Sequence, residues 1–408
     1  MRTRSLVEAW DKFFFVPQST TPIALFRFLY GLLVIATILL LRPDWLSWYG
    51  THAWVSLPTV LKAEPGTRLN LFAFLPESDA WITALFWVFL GSAGLLAIGF
   101  LTRLNSLIVF LCLTSIQQRN LYITHGGDTF LRIAGFFLIF APAGAALSVD
   151  RLIRIWRGKQ DATSQRRSPW AQRMIQFELS ILYFASFCWK VEGAPWRQGT
   201  ALYYVYHLAG LQRFPVPSWF LHPAVLRIGS WSAVALELCL GLLIWVKELR
   251  YILLGVGLLF HLWLEYSLNI PLFQWDVLSA YVLFVDPVDI ARIWGWVRFR
   301  VAGFLGGPLT VIYDGDAKQL GRIANLLRAT DVFGRLSLAD LRDSPSSGDA
   351  ALETGRGRLV VTTPSGLRSG PDAVEVMARV VPLLWPLALL AVFRGWRRLG
   401  LAEDRPTN

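Results

Sequence analysis

Residues 20–41 carry a single charge, Arg27, in an otherwise uncharged and mostly apolar stretch rich in Ile, Leu, Phe and Val. A helix of that length crosses the hydrocarbon core of a bilayer, which takes about 20 largely apolar residues. The run is too long for a secretory signal and ends in Leu41-Arg-Pro-Asp44 with no small-residue cleavage site, so it reads as a retained span. Comparable runs follow, and apolar length predicts eight spans in all: 20–41, 79–100, 104–118, 130–148, 171–189, 224–246, 249–268 and 271–288. The third and eighth are short and interrupted by polar residues. Only 16% of the chain is charged, against about 25% in soluble domains. That leaves too little polar surface to cover a globule. A soluble enzyme, a disordered chain, a coiled coil, collagen and a disulfide scaffold are excluded together.

The formal net charge is +11. In a membrane protein an excess of Lys and Arg marks cytoplasmic loops, so the charge gives no reason to expect nucleic acid as a partner. The segment 149–173 carries Arg151, Arg154, Arg157, Lys159, Arg166, Arg167 and Arg173 against Asp150 and Asp161. Placing it in the cytoplasm puts the N-terminal segment 1–19, Lys247, Arg250 and the cluster Arg292, Arg298 and Arg300 there too. Both termini are then cytoplasmic, and 42–78, 119–129 and 190–223 face outward. Cys112, Cys188 and Cys239 lie far apart in apolar stretches, which is neither a disulfide framework nor a zinc pattern.

Past residue 303 the texture changes. Leu309–Tyr313 reads as a short buried strand, followed by a helical pattern at Ile323, Leu326 and Leu327 and by strands near 335–339 and 358–362. A polar loop, 343–357, separates the last two strands, and 373–396 looks helical. The expected fold is an all-α polytopic membrane bundle followed by a small α/β cytoplasmic domain.

Ionisable groups inside spans are costly unless paired or hydrated, so they are the informative residues. Glu237 sits near the middle of the sixth span. His261 and Glu265 lie four apart on the seventh and share a face with Asn269. Asp276 lies in the eighth. Arg27 is expected to snorkel or to cap a packed helix. The densest signal is Tyr183-Phe-Ala-Ser-Phe-Cys-Trp-Lys190-Val-Glu192-Gly-Ala-Pro-Trp196-Arg-Gln-Gly199, with Lys190 at the outer mouth of the fifth span. A second polar run, Gln117 to Asp128, leads into the fourth, where Arg132 follows. In the eight-span topology Asp128, Arg132, Lys190, Glu192, His261, Glu265 and Asp276 share the outer half, with Glu237 beneath them. That points to an outward-opening polar cavity. The other reading is a set of structural polar contacts between helices. No Walker loop, Gly-x-Ser-x-Gly or His-Glu-x-x-His is present, and the five histidines have no metal-ligand spacing.

Phe26-Arg27-Phe-Leu-Tyr-Gly31, Arg119-Asn120 with His125-Gly-Gly-Asp128, the Tyr183–Gly199 block and Phe260-His261 together resemble the HTTM domain, the membrane module shared with vitamin K-dependent γ-carboxylase. The resemblance covers about residues 18–300, and a transmembrane domain over 20–300 is expected from it. It implies oxidation of a reduced quinone of the menaquinone or vitamin K type to its epoxide, in a bacterial inner membrane. Lys190 would be the base that deprotonates the hydroquinone and His261 matches a polar histidine of that family, while Glu237, from its place in the sixth span, is read as a second partner. Asp128 stands where the carboxylase has a histidine and would position the substrate. Trp189 and Trp196 would suit a flat quinone ring. No large extracytoplasmic β domain for a protein substrate is present, so carboxylation of a protein is not implied.

Leu309-Thr-Val-Ile-Tyr-Asp-Gly-Asp316, Gly334–Asp340 and Gly370-Pro-Asp-Ala373 resemble a DCC-type thioredoxin-like domain, expected over 309–400. Where that family has Cys-x-x-Cys, this chain has Ala317 and Leu320, so dithiol exchange is ruled out. Two functions remain open from the sequence. One is a membrane oxidoreductase using a quinone, with no metal. The other is a non-enzymatic partner, immunity or maturation factor whose polar cluster is structural.

Overall fold

A computed structural model describes residues 2–63, 69–120, 123–159, 165–305, 307–341, 359–363 and 366–384. Two compact units are present, one formed by 1–150 with 165–287 and the other by 151–164 with 288–408.

The first unit is a helical bundle. Its main helices are α1 (Arg2–Phe14), α2 (Thr21–Leu41), α3 (Asp79–Ile98), α4 (Thr102–Arg119), α5 (Gly126–Phe140), α6 (Trp170–Glu192), α7 (Pro223–Leu242), α8 (Lys247–Ser267) and α9 (Phe273–Tyr281). Among the described residues four helical stretches are long and apolar enough to cross a membrane: Thr21–Tyr49, Asp79–Ile98, Pro223–Trp245 and Lys247–Ser267. The eight-span expectation is corrected to these four. The physical reasons differ along the chain. At about 1.5 Å per residue, α5 is about 22 Å long and α9 about 14 Å, both short of a bilayer core. Helices α4 and α6 are long enough but too polar, α6 because it carries Arg173, Glu178, Lys190 and Glu192. These four helices pack among the apolar ones and hold much of the polar interior.

The core runs through Phe26, Tyr30, Val34 and Ile38 of α2, Phe89 and Leu96 of α3, and Leu131 and Leu138 of α5. Helices α2 and α3 meet closely because α2 has Gly31 there: a Cβ on it would come within 2.8 Å of the Ala97 backbone. Gly31→Val is therefore expected to force the pair apart and cost about 1–3 kcal/mol. Thermal melting in detergent would register it, and an unchanged midpoint would show that the helices tolerate separation.

Arg27 is 1% exposed and does not snorkel. Its guanidinium donates to the carbonyls of Ala143 (3.0 Å), Ala97 (3.1 Å) and Leu147 (2.7 Å). It serves as a cationic cap for the C-terminal end of α3 and for the segment after α5. Gly99, at φ 72°, ends α3 in the left-handed conformation against this guanidinium. A two-residue ladder, β1 (Gln18–Ser19) with β2 (Arg166–Arg167), ties the chain before α2 to the chain before α6.

The second unit has α10 (Pro287–Ala302, whose first residue belongs to the bundle unit), α11 (Lys318–Thr330), α12 (Gly370–Val380) and a mixed sheet. Strands β3 (Leu309–Tyr313), β4 (Leu336–Asp340), β5 (Leu359–Thr363) and β6 (Gly366–Ser369) lie in the order β4-β3-β5-β6. β3 is parallel to β4 and antiparallel to β5, and β5 is antiparallel to β6. Val311, Leu327, Val361, Ala373 and Met377 form its core. The three anticipated strands are present, and β6 is an addition. The expectation of a thioredoxin-like DCC domain is corrected to a small mixed β-sheet region, not a closed thioredoxin fold. The loop 343–357 and the end of the expected terminal helix, from 385 on, lie outside the described residues.

Candidate functional site

Helix α6 sets Tyr183, Ser186 and Lys190 on one face, three and four residues apart. Helix α7 lies against that face. Gly241 permits the approach, since a Cβ there would sit 3.1 Å from the Phe184 backbone nitrogen. One helical turn from Gly241, Glu237 meets Lys190. The Lys190 ammonium donates to Glu237 Oε1 and to Ser186 Oγ (3.0 Å), and stands 5.0 Å from the centre of the Trp196 ring. Its side chain is 21% exposed and that of Glu237 7%. Lys190 is thus the more exposed member of the pair. Glu237 Oε2 is buried and has no partner.

Helix α8 brings His261 to the same face of α6, and α9 brings Gln274 and Tyr281. Gly257, one turn before His261, makes room for the Tyr281 hydroxyl. His261 Nδ1 lies 2.5 Å from Gln274 Oε1, and Nε2 lies 2.7 Å from the Tyr183 hydroxyl, which is 2.7 Å from that of Tyr281. With the amide oxygen facing the ring, Nδ1 must donate. Nε2 then accepts from Tyr183, and Tyr183 accepts from Tyr281. This defines one neutral tautomer of His261 and leaves Gln274 Nε2 unpartnered. His261 thus meets α6 at Tyr183, two turns before Lys190.

The structure joins Lys190 with Glu237 and Trp196, and sets His261 beside them. It does not bring Asp128 into that cluster. Asp128 closes the N-terminus of α5 in a reciprocal cap: its Oδ2 accepts from the His125 backbone (2.8 Å), while His125 Nδ1 accepts from the Gly127 backbone (3.0 Å). Trp189, next to Lys190 on α6, is 76% exposed, while Trp196 is the ring that stands against the amine. Glu265 belongs elsewhere as well, paired with Arg213, where backbone contacts fasten 211–213 to the end of α8. Asp276 is buried against Gly127, where a Cβ would stand 2.5 Å from its Oδ2.

Sequence reasoning passed over Gln274 and Tyr281, although their seven-residue spacing puts them on one helix face. It also passed over Glu178, a carboxyl inside α6 with neither oxygen partnered. Among the described residues no group of three His, Cys, Asp or Glu is placed to hold a metal ion.

The HTTM domain model matches residues 15–288, from just before α2 to the end of the bundle. No curated protein and no solved structure matches the chain. The match spans well over half of the sequence and takes in every residue of the Lys190 and His261 clusters, and the chain belongs to the HTTM domain family.

Proposed function

We propose that this membrane protein is a quinone-coupled oxidoreductase of the vitamin K-dependent carboxylase type, with Lys190 as its base. The observation that supports this best is the Lys190–Glu237 pair, a partly exposed lysine on a buried carboxyl with an unused oxygen. A bound reduced menaquinone would supply the oxidisable ring and the hydroxyl proton. Molecular oxygen, as the oxidant, would take the electrons and supply the epoxide oxygen, and the chain's own residues handle the proton and the orientation of the ring. The contact between Lys190 Nζ and Glu237 Oε1 lets a proton pass between them, which leaves the amine lone pair free to accept another. Trp196 offers an aromatic face beside that amine. His261 is a positioning residue, because its Nε2 is already occupied by Tyr183. Asp128 acts on the site only through the start of α5. The protein sits in a bacterial inner membrane, with the basic N-terminal and 149–173 segments on the cytoplasmic side.

The test is turnover of reduced menaquinone by membranes carrying the protein or its Lys190→Ala variant at matched abundance. Loss of turnover supports the base, and unchanged turnover removes Lys190 from the chemistry. The second reading, a non-enzymatic partner, is favoured by the Asp128 cap and the oriented His261 chain, which are contacts of a structural kind. It requires that wild-type membranes show no turnover above an empty-vector control.

A further inference from the structure

Helix α10 has two faces of different character. Trp294 and Arg298 both donate to the Val332 carbonyl (3.0 and 2.6 Å), and Trp294 packs on Phe333, so this face is held by its own unit. At 100° per residue, Arg292, Ile293, Trp296, Phe299 and Arg300 fall within about 120° on the opposite side. All five are exposed, Phe299 to 79%, and Phe304 follows just past the helix end, exposed to 91%. The Arg300 guanidinium stands 5.1 Å from the centre of the Trp296 ring. Asp289 pairs with Arg292 at 2.5 Å on this side of the helix, so Arg300 leaves the face with a net positive charge.

An exposed aromatic and aliphatic strip of this size is costly in water and marks an interaction surface. Its residues are those of the bilayer interface: Trp and Phe at headgroup depth, with Arg beside them. The helix also begins three residues after Phe284, at the end of the membrane bundle. A second copy of the chain fits poorly, because stacking two such faces would bring Arg292 and Arg300 against like charges. We propose that this face of α10 lies in the headgroup layer of the membrane and binds acidic phospholipid. The positive charge complements anionic headgroups, each arginine near the surface contributing about fivefold to the affinity.

The test uses the full chain with Cys188 and Cys239 replaced by alanine, Cys112 being buried. Phe299→Cys is compared with Gln319→Cys, an exposed position on α11. Both are treated with a water-soluble maleimide in nanodiscs of phosphatidylcholine with phosphatidylglycerol, in discs of phosphatidylcholine alone, and in lipid-free amphipol. The expected result is that residue 299 labels about tenfold more slowly than 319 in acidic discs, and at a similar rate in amphipol. Arg300→Glu should speed labelling of 299 in acidic discs about fivefold. Equal labelling of 299 and 319 in acidic discs overturns the proposal. Protection that persists in amphipol also overturns it and assigns the face to a second copy. Equal protection in both disc types overturns the acidic-lipid preference.

Discussion

Lys190→Met is expected to destabilise the protein more than Glu237→Leu, and the double variant less than either. The ordering follows from which charge is left without a partner. Lys190→Met strands a carboxylate whose side chain is 7% exposed and whose second oxygen already has no donor. Breaking a buried pair in this way costs about 3–5 kcal/mol. Glu237→Leu leaves an ammonium that keeps Ser186 and the Trp196 face on a side chain 21% exposed, so about 1–2 kcal/mol is expected. Replacing both groups removes the stranded charge and should restore stability to within about 1 kcal/mol of wild type. Turnover should be absent in every variant that lacks Lys190. Melting of the four proteins in one detergent, with quinone turnover on the same preparations, reads both quantities. Singles that each melt like wild type would show that the pair is not buried as described. A double variant that turns over quinone would exclude Lys190 from the reaction.

The second large effect belongs to Arg27. Arg27→Met removes the donor for three carbonyls, those of Ala97, Ala143 and Leu147, in a region where the replaced side chain was 1% exposed. An unsatisfied buried acceptor costs about 1–3 kcal/mol, so a loss of several kcal/mol and a sharp fall in membrane abundance are expected. Arg27→Lys should fall between the two, since an ammonium keeps the charge but lacks the planar fork that reaches separated carbonyls. Abundance and melting temperature provide the measurement. Wild-type values for Arg27→Met would mean that the three carbonyls find other donors.

The apolar helices were legible in the sequence because a lipid-facing helix is apolar on nearly every side, and a window average captures that. The polar helices were misjudged by the same average. Whether a helix such as α6 faces lipid depends on its neighbours, which shield Glu178 and Lys190 and which no local window contains. The cost of burying a charge singled out Lys190, Glu237 and His261. It could not say that Glu237, 47 residues away, is the partner of Lys190 rather than the nearby Glu192. The cap at Asp128 was legible too: His125-Gly-Gly-Asp128 has the spacing of a reciprocal helix cap, a local signal that a search for costly charges does not weigh. Strand β6 escaped notice because Gly366-Leu-Arg-Ser369 shows no apolar alternation. Its place comes from pairing with β5.

The hydrogen bonds around His261 have a direction. Each hydroxyl donates toward the imidazole, from Tyr281 to Tyr183 to the ring, and the ring donates to an amide oxygen. An amide does not hand a proton onward, so the series is a blind alley for protons. It fixes one tautomer and conducts nothing. If Lys190 is the base proposed above, its proton can pass to the carboxyl of Glu237, and the imidazole of His261 takes no part in that transfer.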